Sequence, residues 1–418
     1  MVALPRTQVA RAFFHIRRAH PAATRGTRVN APRMLFLGSY PPRECGIATF
    51  TKDVVDSYDQ RFGARSEIIS IEEPGAPARD YPATVVASLM QDDRGSYGAV
   101  AEFVNEHSCD ALNVQHEYGL FGGEDGEWIV DLIALVRKPV VVSLHTVLPE
   151  PTANHLRVTR TICATASGVV VLSATGKDIL IDRYGIDPQK VSVIHHGVPD
   201  VPFRDTDSAK LLLGLQNRQV VSTFGLINRG KGLEYAIEAM RNVAAAHPDA
   251  LYLILGQTHP VVRRHEGEIY RESLEKLVAE YGLADNVRLV DRYLGFDELV
   301  QYLQATDIYL TPYLNPVQIV SGTLAYAVGL GKAVISTPYL YAEELLAHGR
   351  GFLVEFRDAI SIASTMNALF NDRDLRASTE RRAYRFGRQM TWPHVAQEYG
   401  ALFSSMLPTR RLALATSA

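Results

Sequence analysis

The stretch that decides the fold is residues 307–337, DIYLTPYLNPVQIVSGTLAYAVGLGKAVIST, in which a short apolar segment, a polar turn and a second apolar segment follow one another. Residues 308–313 have the length and composition of a strand, and two prolines place the end of that strand on a loop. Residues 321–323, Ser-Gly-Thr, then begin a short helix. Free N–H groups and the dipole at a helix start suit a phosphate, although Ser and Thr are also ordinary N-cap residues. The stretch therefore indicates a phosphate site of the kind that sugar-phosphate and nucleotide-sugar enzymes need.

The composition is typical of a globular protein of two or three domains, since the chain has 418 residues of which 47% are hydrophobic. Its three cysteines are odd in number and lack metal-ligand spacing. We therefore expect no metal site, no disulfide scaffold and a cytoplasmic location. The net charge is −3, but residues 1–33 hold seven arginines and no Asp, Glu or Lys. The remaining chain is thus acidic, which argues against a nucleic-acid partner.

Residues 1–32 form a basic segment in which small apolar residues alternate with arginine. We expect a disordered tail here, and a transit peptide or a membrane-surface helix is the alternative. No apolar run reaches the roughly 18 to 20 residues that span a bilayer, so any membrane contact is expected to be peripheral.

Strand-like apolar runs alternate with helical stretches in two series, which a polar segment at residues 199–209 separates. The runs are 34–40, 111–115, 139–145, 168–173 and 191–196, and then 220–225, 250–256, 286–291, 307–313, 333–337 and 351–356. Such alternation favours a parallel sheet covered by helices in each series, with a ligand cleft between the carboxyl ends of the two sets of strands. The chain has neither a dinucleotide-binding or P-loop glycine motif nor a serine-hydrolase elbow, so those enzyme classes are disfavoured.

Basic residues follow the first strand of the second series. Gly225 opens a glycine-rich turn from which Arg229 and Lys231 project before a helix begins. An ammonium and a guanidinium at a helix start suit a diphosphate, which needs charge neutralisation and donors together. A solvated basic loop is the alternative.

Histidines follow several of the predicted strands directly. His116, His145 and His196 end strands of the first series, and Thr258 and His259 follow a strand of the second. Residues at such positions face the cleft, where they could hydrogen-bond a sugar hydroxyl or a phosphate. A structural hydrogen bond is the alternative for each of them.

These motifs, in this order, resemble the retaining glycosyltransferases of family 4, and the resemblance covers roughly residues 33–405. The motifs that carry it are PPRECGIATFT (41–51), VQHEYGLFGG (114–123), VVSLHT (141–146), VIHHGVP (193–199), TFGLINRGKGLEYAIEA (223–239), AVGLGKAVIST (327–337) and TWPHVAQEYGALF (391–403). The resemblance implies an α/β fold of the GT-B arrangement, in which two Rossmann-like domains face each other. It implies an acceptor-side domain at residues 33–203, a donor-binding domain at 204–390, and a helix at 391–418 that crosses back to the first domain before a short tail.

The family uses a nucleotide-diphosphate sugar as its donor, with no bound metal and no resident cofactor. By resemblance, Lys231 is the catalytic lysine that neutralises the leaving diphosphate. Leu226 stands where the family has an arginine, so Arg229 is expected to compensate. His116 corresponds to the family's histidine beside the donor sugar, and Gly46 to its glycine-rich loop.

The chain departs from the family where two glutamates are usually spaced as E-x7-E. Here Gln318 and Tyr326 occupy these positions. A phenol is a poor substitute for a carboxylate that accepts from two ribose hydroxyls. The family's backbone cradle for the diphosphate corresponds to Ser321, Gly322 and Thr323, which add hydroxyl donors.

The resemblance implies a retaining hexosyltransferase that acts on a carbohydrate, lipid or small-molecule acceptor. Because the ribose carboxylate is missing, two alternatives stay open. One is a glycoside phosphorylase of the same fold that uses phosphate or a sugar 1-phosphate, and the other is a non-catalytic sugar-binding or partner subunit.

Overall fold

Two parallel β-sheets, one in each half of the chain, organise the fold of the computed structural model, which describes residues 31–204 and 206–407. The basic segment predicted at residues 1–32 lies outside the described residues except for its last two positions. The first sheet has the order β3-β2-β1-β4-β5-β6-β7 and the second the order β10-β9-β8-β11-β12-β13. The prediction of an α/β fold with two Rossmann-like domains is confirmed.

The strands are short, and most of their residues are buried because helices cover both faces. Leu37 of β1, for example, lies in register with Ile69 of β2 and Val114 of β4. The strands are β1 (Met34–Gly38), β2 (Glu67–Glu72), β3 (Val85–Met90), β4 (Ala111–His116), β5 (Val140–Leu144), β6 (Gly168–Val171), β7 (Val191–Val193), β8 (Gln219–Phe224), β9 (Ala250–Leu255), β10 (Val287–Val290), β11 (Ile308–Thr311), β12 (Ala333–Ser336) and β13 (Phe352–Leu353).

The helices alternate with these strands, as crossover connections between parallel strands require. In the first domain they are α1 (Gly46–Phe62), α2 (Arg94–Glu106), α3 (Trp128–Leu135), α4 (Ala153–Thr165) and α5 (Ala174–Asp182). In the second they are α6 (Thr206–Leu212), α7 (Leu233–Ala246), α8 (Pro260–Glu266), α9 (Ile269–Glu280), α10 (Phe296–Gln304), α11 (Gly322–Gly329), α12 (Leu340–Leu346), α13 (Ala359–Asn371) and α14 (Arg373–Gly387), followed by α15 (Trp392–Met406). None of these helices is both long and apolar enough to cross a bilayer.

The final helix, α15, packs on the first domain although it follows the second domain in sequence. The Phe403 ring lies 5.7 Å from that of Tyr58 on α1, measured between centroids. The Tyr399 hydroxyl lies 3.0 Å from Ser143 Oγ on β5. These contacts are buried, so α15 is part of the first domain's core.

Hydrogen bonds join the two domains across the cleft. Gln257 Nε2 donates to Glu44 Oε2 at 2.8 Å. The Glu344 carboxylate accepts from the backbone N–H groups of Ala174 and Thr175, both at 2.9 Å, and so caps the start of α5 from the opposite domain. The carboxyl ends of both sets of strands therefore face one shared space.

Candidate active site

A cavity of about 620 Å³ lies between the domains at the carboxyl ends of the strands. The start of α1 and the ends of β4 and β5 line it on one side, and the loops after β8, β9 and β10 together with the start of α11 line it on the other. Many of the residues singled out in the sequence meet here. They are Gly46, His145, His196, Gly225, Lys231, His259, Gly322, Thr323 and Tyr326.

The turn after β8 brings Lys231 to the cavity. Gly232 ends this turn with a left-handed φ of 61°. A Cβ atom at that position would lie 2.2 Å from the carbonyl oxygen of Pro312, so the backbones of the two loops can touch only because the residue is glycine. This close approach places Lys231 beside the segment that leads to α11.

The Lys231 side chain is partly buried and its ammonium lies beside two hydroxyl groups. Its Nζ donates to the Tyr313 hydroxyl at 2.7 Å, and that hydroxyl lies 2.7 Å from Thr323 Oγ1. Burial lowers the pKa of Lys231 to about 7. Within residues 31–204 and 206–407, no carboxylate forms an ion pair with this group. Removing an ammonium from water even in part is costly without a counter-ion, so this position favours an anionic ligand.

The start of α11 adds backbone donors next to Lys231. Ser321 is the N-cap, and its Oγ accepts from Leu324 N at 3.3 Å. The first N–H groups of a helix have no partner within the helix, and those of Gly322 and Thr323 belong to residues that line the cavity. Ammonium, hydroxyl and helix start together offer the positive charge and the donors that a phosphate or diphosphate needs.

His145 is held by a buried polar network. Its Nε2 lies 2.8 Å from Gln115 Oε1, and an amide oxygen can only accept, so Nε2 carries the proton. Gln115 Nε2 donates to Asn113 Oδ1 at 2.5 Å. Asn113 Nδ2 in turn donates to Ser143 Oγ at 3.3 Å, which meets Tyr399 of α15. The network fixes the tautomer of His145 and leaves Nδ1 as an acceptor for a ligand hydroxyl.

His145 and His196, two of the histidines that line the cavity, are neutral in the physiological pH range. Burial lowers the pKa of His145 to about 3 and that of His196 to about 4. His196 Nδ1 donates to the Gly197 carbonyl oxygen at 2.8 Å, so its Nε2 is an acceptor. The Phe50 ring packs edge-on against both imidazoles, at centroid distances of 4.8 and 5.0 Å. The histidines can therefore accept hydrogen bonds from hydroxyls but do not supply positive charge.

The role of Gln115 can be tested by Gln115→Glu. This change places a carboxylate beside His145 Nε2, so we expect the pKa of His145 to rise by at least 1 unit. The titration is measured by NMR on ¹⁵N-histidine-labelled protein. His196, whose Nδ1 bonds to a backbone carbonyl, is the internal control and is expected to titrate as before. An unchanged pKa of His145 would show that the hydrogen bond to residue 115 is absent.

His116, which the resemblance places beside the donor sugar, is not among the residues that line the cavity. Its ring is fully buried, stacked 5.5 Å from Phe121, and neither ring nitrogen has a partner among the described residues. Successive residues of a strand point to opposite faces, which places Gln115 on the side of His145 and His116 on the other. Burial lowers the pKa of His116 to about 4.

Arg229 also lies outside the cavity. Its guanidinium sits 5.3 Å from the Tyr270 ring centroid, and its Nε is 3.5 Å from a Glu266 carboxylate oxygen. The side chain is 59% exposed, so Arg229 does not compensate for Leu226 in this structure. These contacts come from α8 and α9, which turn the side chain away from the cleft.

Three further residues with predicted contacts are engaged elsewhere. Gln318 Nε2 donates to the Val320 carbonyl oxygen at 3.0 Å. Thr258 is buried and donates to Glu268. Ser321 serves as the N-cap described above, so its hydroxyl is not one of the groups that line the cavity.

Asp53 is a cavity residue that the sequence analysis missed. It lies on α1, where its Oδ2 accepts from the Tyr326 hydroxyl at 3.3 Å across the cleft. Burial raises the pKa of Asp53 to about 6. A signal was present, because Gly46, Thr49, Phe50 and Asp53 are spaced i, i+3, i+4 and i+7 along one face of the helix.

Comparison with family models assigns both halves of the chain. Residues 60–200 match the model described as "Glycosyltransferase Family 4", and residues 204–386 match "Glycosyl transferases group 1". Together the two matches cover more than three quarters of the chain.

Curated relatives are similar at low identity. A D-inositol 3-phosphate glycosyltransferase of Streptomyces avermitilis is 26% identical over 295 residues, which cover 65% of this chain and 61% of the relative. A relative of the same name from Catenulispora acidiphila is 25% identical over 337 residues, which cover 74% of this chain and 78% of the relative. The chain thus spans about three fifths of the length of the first of these relatives.

Solved structures share the fold. Anabaena HepE in complex with UDP superposes with a TM-score of 0.70 at 19% identity, covering 89% of this chain and 100% of that chain. Sucrose-phosphate synthase from Thermosynechococcus elongatus gives a TM-score of 0.71 at 16% identity, covering 90% and 99%. The two matching family models and the two facing parallel sheets lead to one assignment: the chain belongs to the glycosyltransferases of the GT-B fold.

Proposed function

We propose that this protein is a retaining hexosyltransferase that moves a sugar from a nucleotide-diphosphate sugar to an acceptor hydroxyl. The observation that carries the proposal is Lys231, a partly buried ammonium in the interdomain cavity that has no carboxylate partner among the described residues. A diphosphate supplies the missing negative charge. HepE, which shares the fold, is in complex with UDP, so uridine nucleotides are the first donors to test.

In this proposal the diphosphate binds Lys231 and the N–H groups at Gly322 and Thr323. His145 Nδ1 accepts a hydroxyl of the donor sugar. The bond between the anomeric carbon and the diphosphate oxygen breaks through an oxocarbenium-like state, and the charge on the leaving oxygen is stabilised by donors already in place. The acceptor oxygen attacks on the same face, and its proton passes to the departing phosphate oxygen. Lys231 and helix amides neutralise the leaving group, and no resident metal or cofactor takes part.

Donor binding is expected to weaken above pH 7. Lys231 has a pKa lowered to about 7 in the free protein, and a bound diphosphate favours the charged form and raises that pKa. Binding at pH 8 therefore takes up a proton, and the affinity for UDP falls as the pH rises from 7 to 9. Calorimetry in buffers of different ionisation enthalpy measures both effects. Lys231→Met is expected to remove the proton uptake, and a pH-independent affinity in the unchanged protein would contradict this account of the site.

The reaction is tested by incubating the full chain with UDP-glucose, GDP-mannose or ADP-glucose and a mixture of acceptors. We expect one donor to release its nucleoside diphosphate in step with transfer, and the new linkage to keep the donor's anomeric configuration by ¹H NMR. An inverted product would refute the retaining mechanism. Transfer that needs inorganic phosphate or hexose 1-phosphate and ignores all nucleotide sugars would establish the phosphorylase alternative instead.

A further inference from the structure

The first-domain wall of the cavity is acidic. Of the described residues that line it, none is Lys or Arg, whereas Asp53 and Glu117 are carboxylic acids. The basic residues near this wall form ion pairs with other side chains. Arg43, in the loop before α1, pairs with Glu73 at 3.0 Å, and Lys52 pairs with Asp56. Among the described residues that line the cavity, Lys231 on the opposite wall is therefore the cation to which an anion can bind.

The two carboxylic acids differ in how fully they are hydrogen-bonded. Glu117 accepts from Tyr118 N at 3.0 Å and from Thr146 Oγ1 at 2.6 Å, so each of its oxygens has a protein donor. Among the described residues, Asp53 accepts a hydrogen bond from the Tyr326 hydroxyl alone, at 3.3 Å. A carboxylate has about four lone-pair positions, so Asp53 retains capacity for ligand donors.

The groups beside Asp53 suit a sugar-like surface. Thr49 adds a hydroxyl one helical turn away, and Phe50 adds an aromatic ring that also packs against His145 and His196. Hydroxyl acceptors next to an apolar ring match a polyol, which presents O–H groups at its edge and C–H groups on its faces.

We infer that the acceptor is an uncharged, hydroxyl-rich molecule whose hydroxyls donate to the Asp53 carboxylate, and that phosphorylated acceptors are disfavoured by charge on this wall. The inference rests on the proposed glycosyl transfer and names its substrate class. It separates this chain from the relatives named for D-inositol 3-phosphate, an anionic acceptor. The donor diphosphate occupies Lys231, the cation among the described lining residues, so an acceptor phosphate would face carboxylates.

The test uses matched acceptor pairs that differ only by a phosphate: myo-inositol and inositol 1-phosphate, glucose and glucose 6-phosphate, and glycerol and glycerol 3-phosphate. The full chain is supplied with the donor that it accepts, and kcat/KM is measured for each member. We expect the uncharged member to be favoured at least tenfold wherever transfer occurs. A pair in which the phosphorylated member is used equally well or better overturns the inference, and so does transfer to no member of any pair.

Asp53→Asn keeps the shape of the side chain and removes its charge. We expect kcat/KM for the uncharged acceptor to fall at least tenfold. The ratio of kcat/KM between the uncharged and the phosphorylated acceptor should decrease. The Kd of UDP should stay within twofold of its value in the unchanged protein. Asp182→Asn, at an exposed position of α5 outside the cavity lining, is the control and should change none of these three quantities. An unaltered preference in Asp53→Asn overturns the inference. Failure of the proposed function is distinguishable, since the unchanged protein would then bind no nucleotide.

Discussion

Lys231→Met is expected to lower kcat/KM for the nucleotide-sugar donor about 100-fold, which corresponds to about 2.7 kcal/mol of transition-state stabilisation. The ammonium donates to the Tyr313 hydroxyl, which lies 2.7 Å from Thr323 Oγ1 at the start of α11, where the leaving diphosphate is proposed to bind. Methionine keeps the length of the side chain and removes the charge. Because burying an unpaired ammonium is costly, the free energy of unfolding of the variant should be no lower than that of the unchanged protein. Steady-state kinetics and chemical denaturation on the full chain measure both quantities.

Arg229→Met is the matched control for this experiment. It removes a cation two positions away whose side chain is 59% exposed and points to Glu266 and Tyr270. We expect kcat/KM for the donor to stay within about threefold of the value of the unchanged protein, because a surface ion pair contributes little free energy. Equal losses in the two variants would mean that Arg229 reaches the diphosphate, and a loss below tenfold in Lys231→Met would remove Lys231 from the mechanism.

Gly322→Ala is expected to abolish most activity and to lower the free energy of unfolding by about 1 to 3 kcal/mol, the usual cost of overpacking. A Cβ atom at this position would lie 2.7 Å from His196 Nε2 and 3.1 Å from its Cε1. His196 cannot yield easily, because its ring packs against Phe50 at 5.0 Å and against Tyr326 and Trp392 at 6.1 Å. The added methyl group must therefore push the start of α11, where the diphosphate is proposed to bind, away from the first domain.

Gly98→Ala on α2 is the control for the change of residue type. No heavy atom lies within 4 Å of a Cβ atom placed there, so this variant should be as stable as the unchanged protein or slightly more stable. Both variants are compared by chemical denaturation and by donor turnover. Full turnover in Gly322→Ala would show that the contact between α11 and His196 is not needed for the active arrangement.

Much of the architecture could be predicted from apolar runs and their order. Runs such as β4 and β9 are buried at every position, so they stand out without any structural information. The strands β2 and β3 were not predicted. β2 begins and ends with Glu and carries Ser70 in its middle, and β3 lies at the edge of the sheet, where alternate residues are partly exposed. Patterns as weak as these identify a strand only when the neighbouring strand of the sheet is known.

The site could be predicted where position along the backbone decides it. A residue just after a parallel strand or at a helix start reaches the cleft, and Lys231, His145 and Gly322 were located in this way. The direction of a side chain depends on tertiary contacts instead. Tyr270 draws Arg229 away from the cavity, and Asp53 meets a tyrosine 273 residues further along the chain.

The most direct test of a nucleotide-sugar enzyme centred on Lys231 is a thermal-shift measurement with UDP, GDP, ADP, hexose 1-phosphate and inorganic phosphate. A ligand at 100 times its Kd adds about 2.7 kcal/mol to the free energy of unfolding, which is readily visible. We predict that one nucleoside diphosphate stabilises the unchanged protein and that Lys231→Met loses most of this shift. Stabilisation by phosphate or hexose 1-phosphate without any response to a nucleotide, or no response to any of the five ligands, would contradict the account.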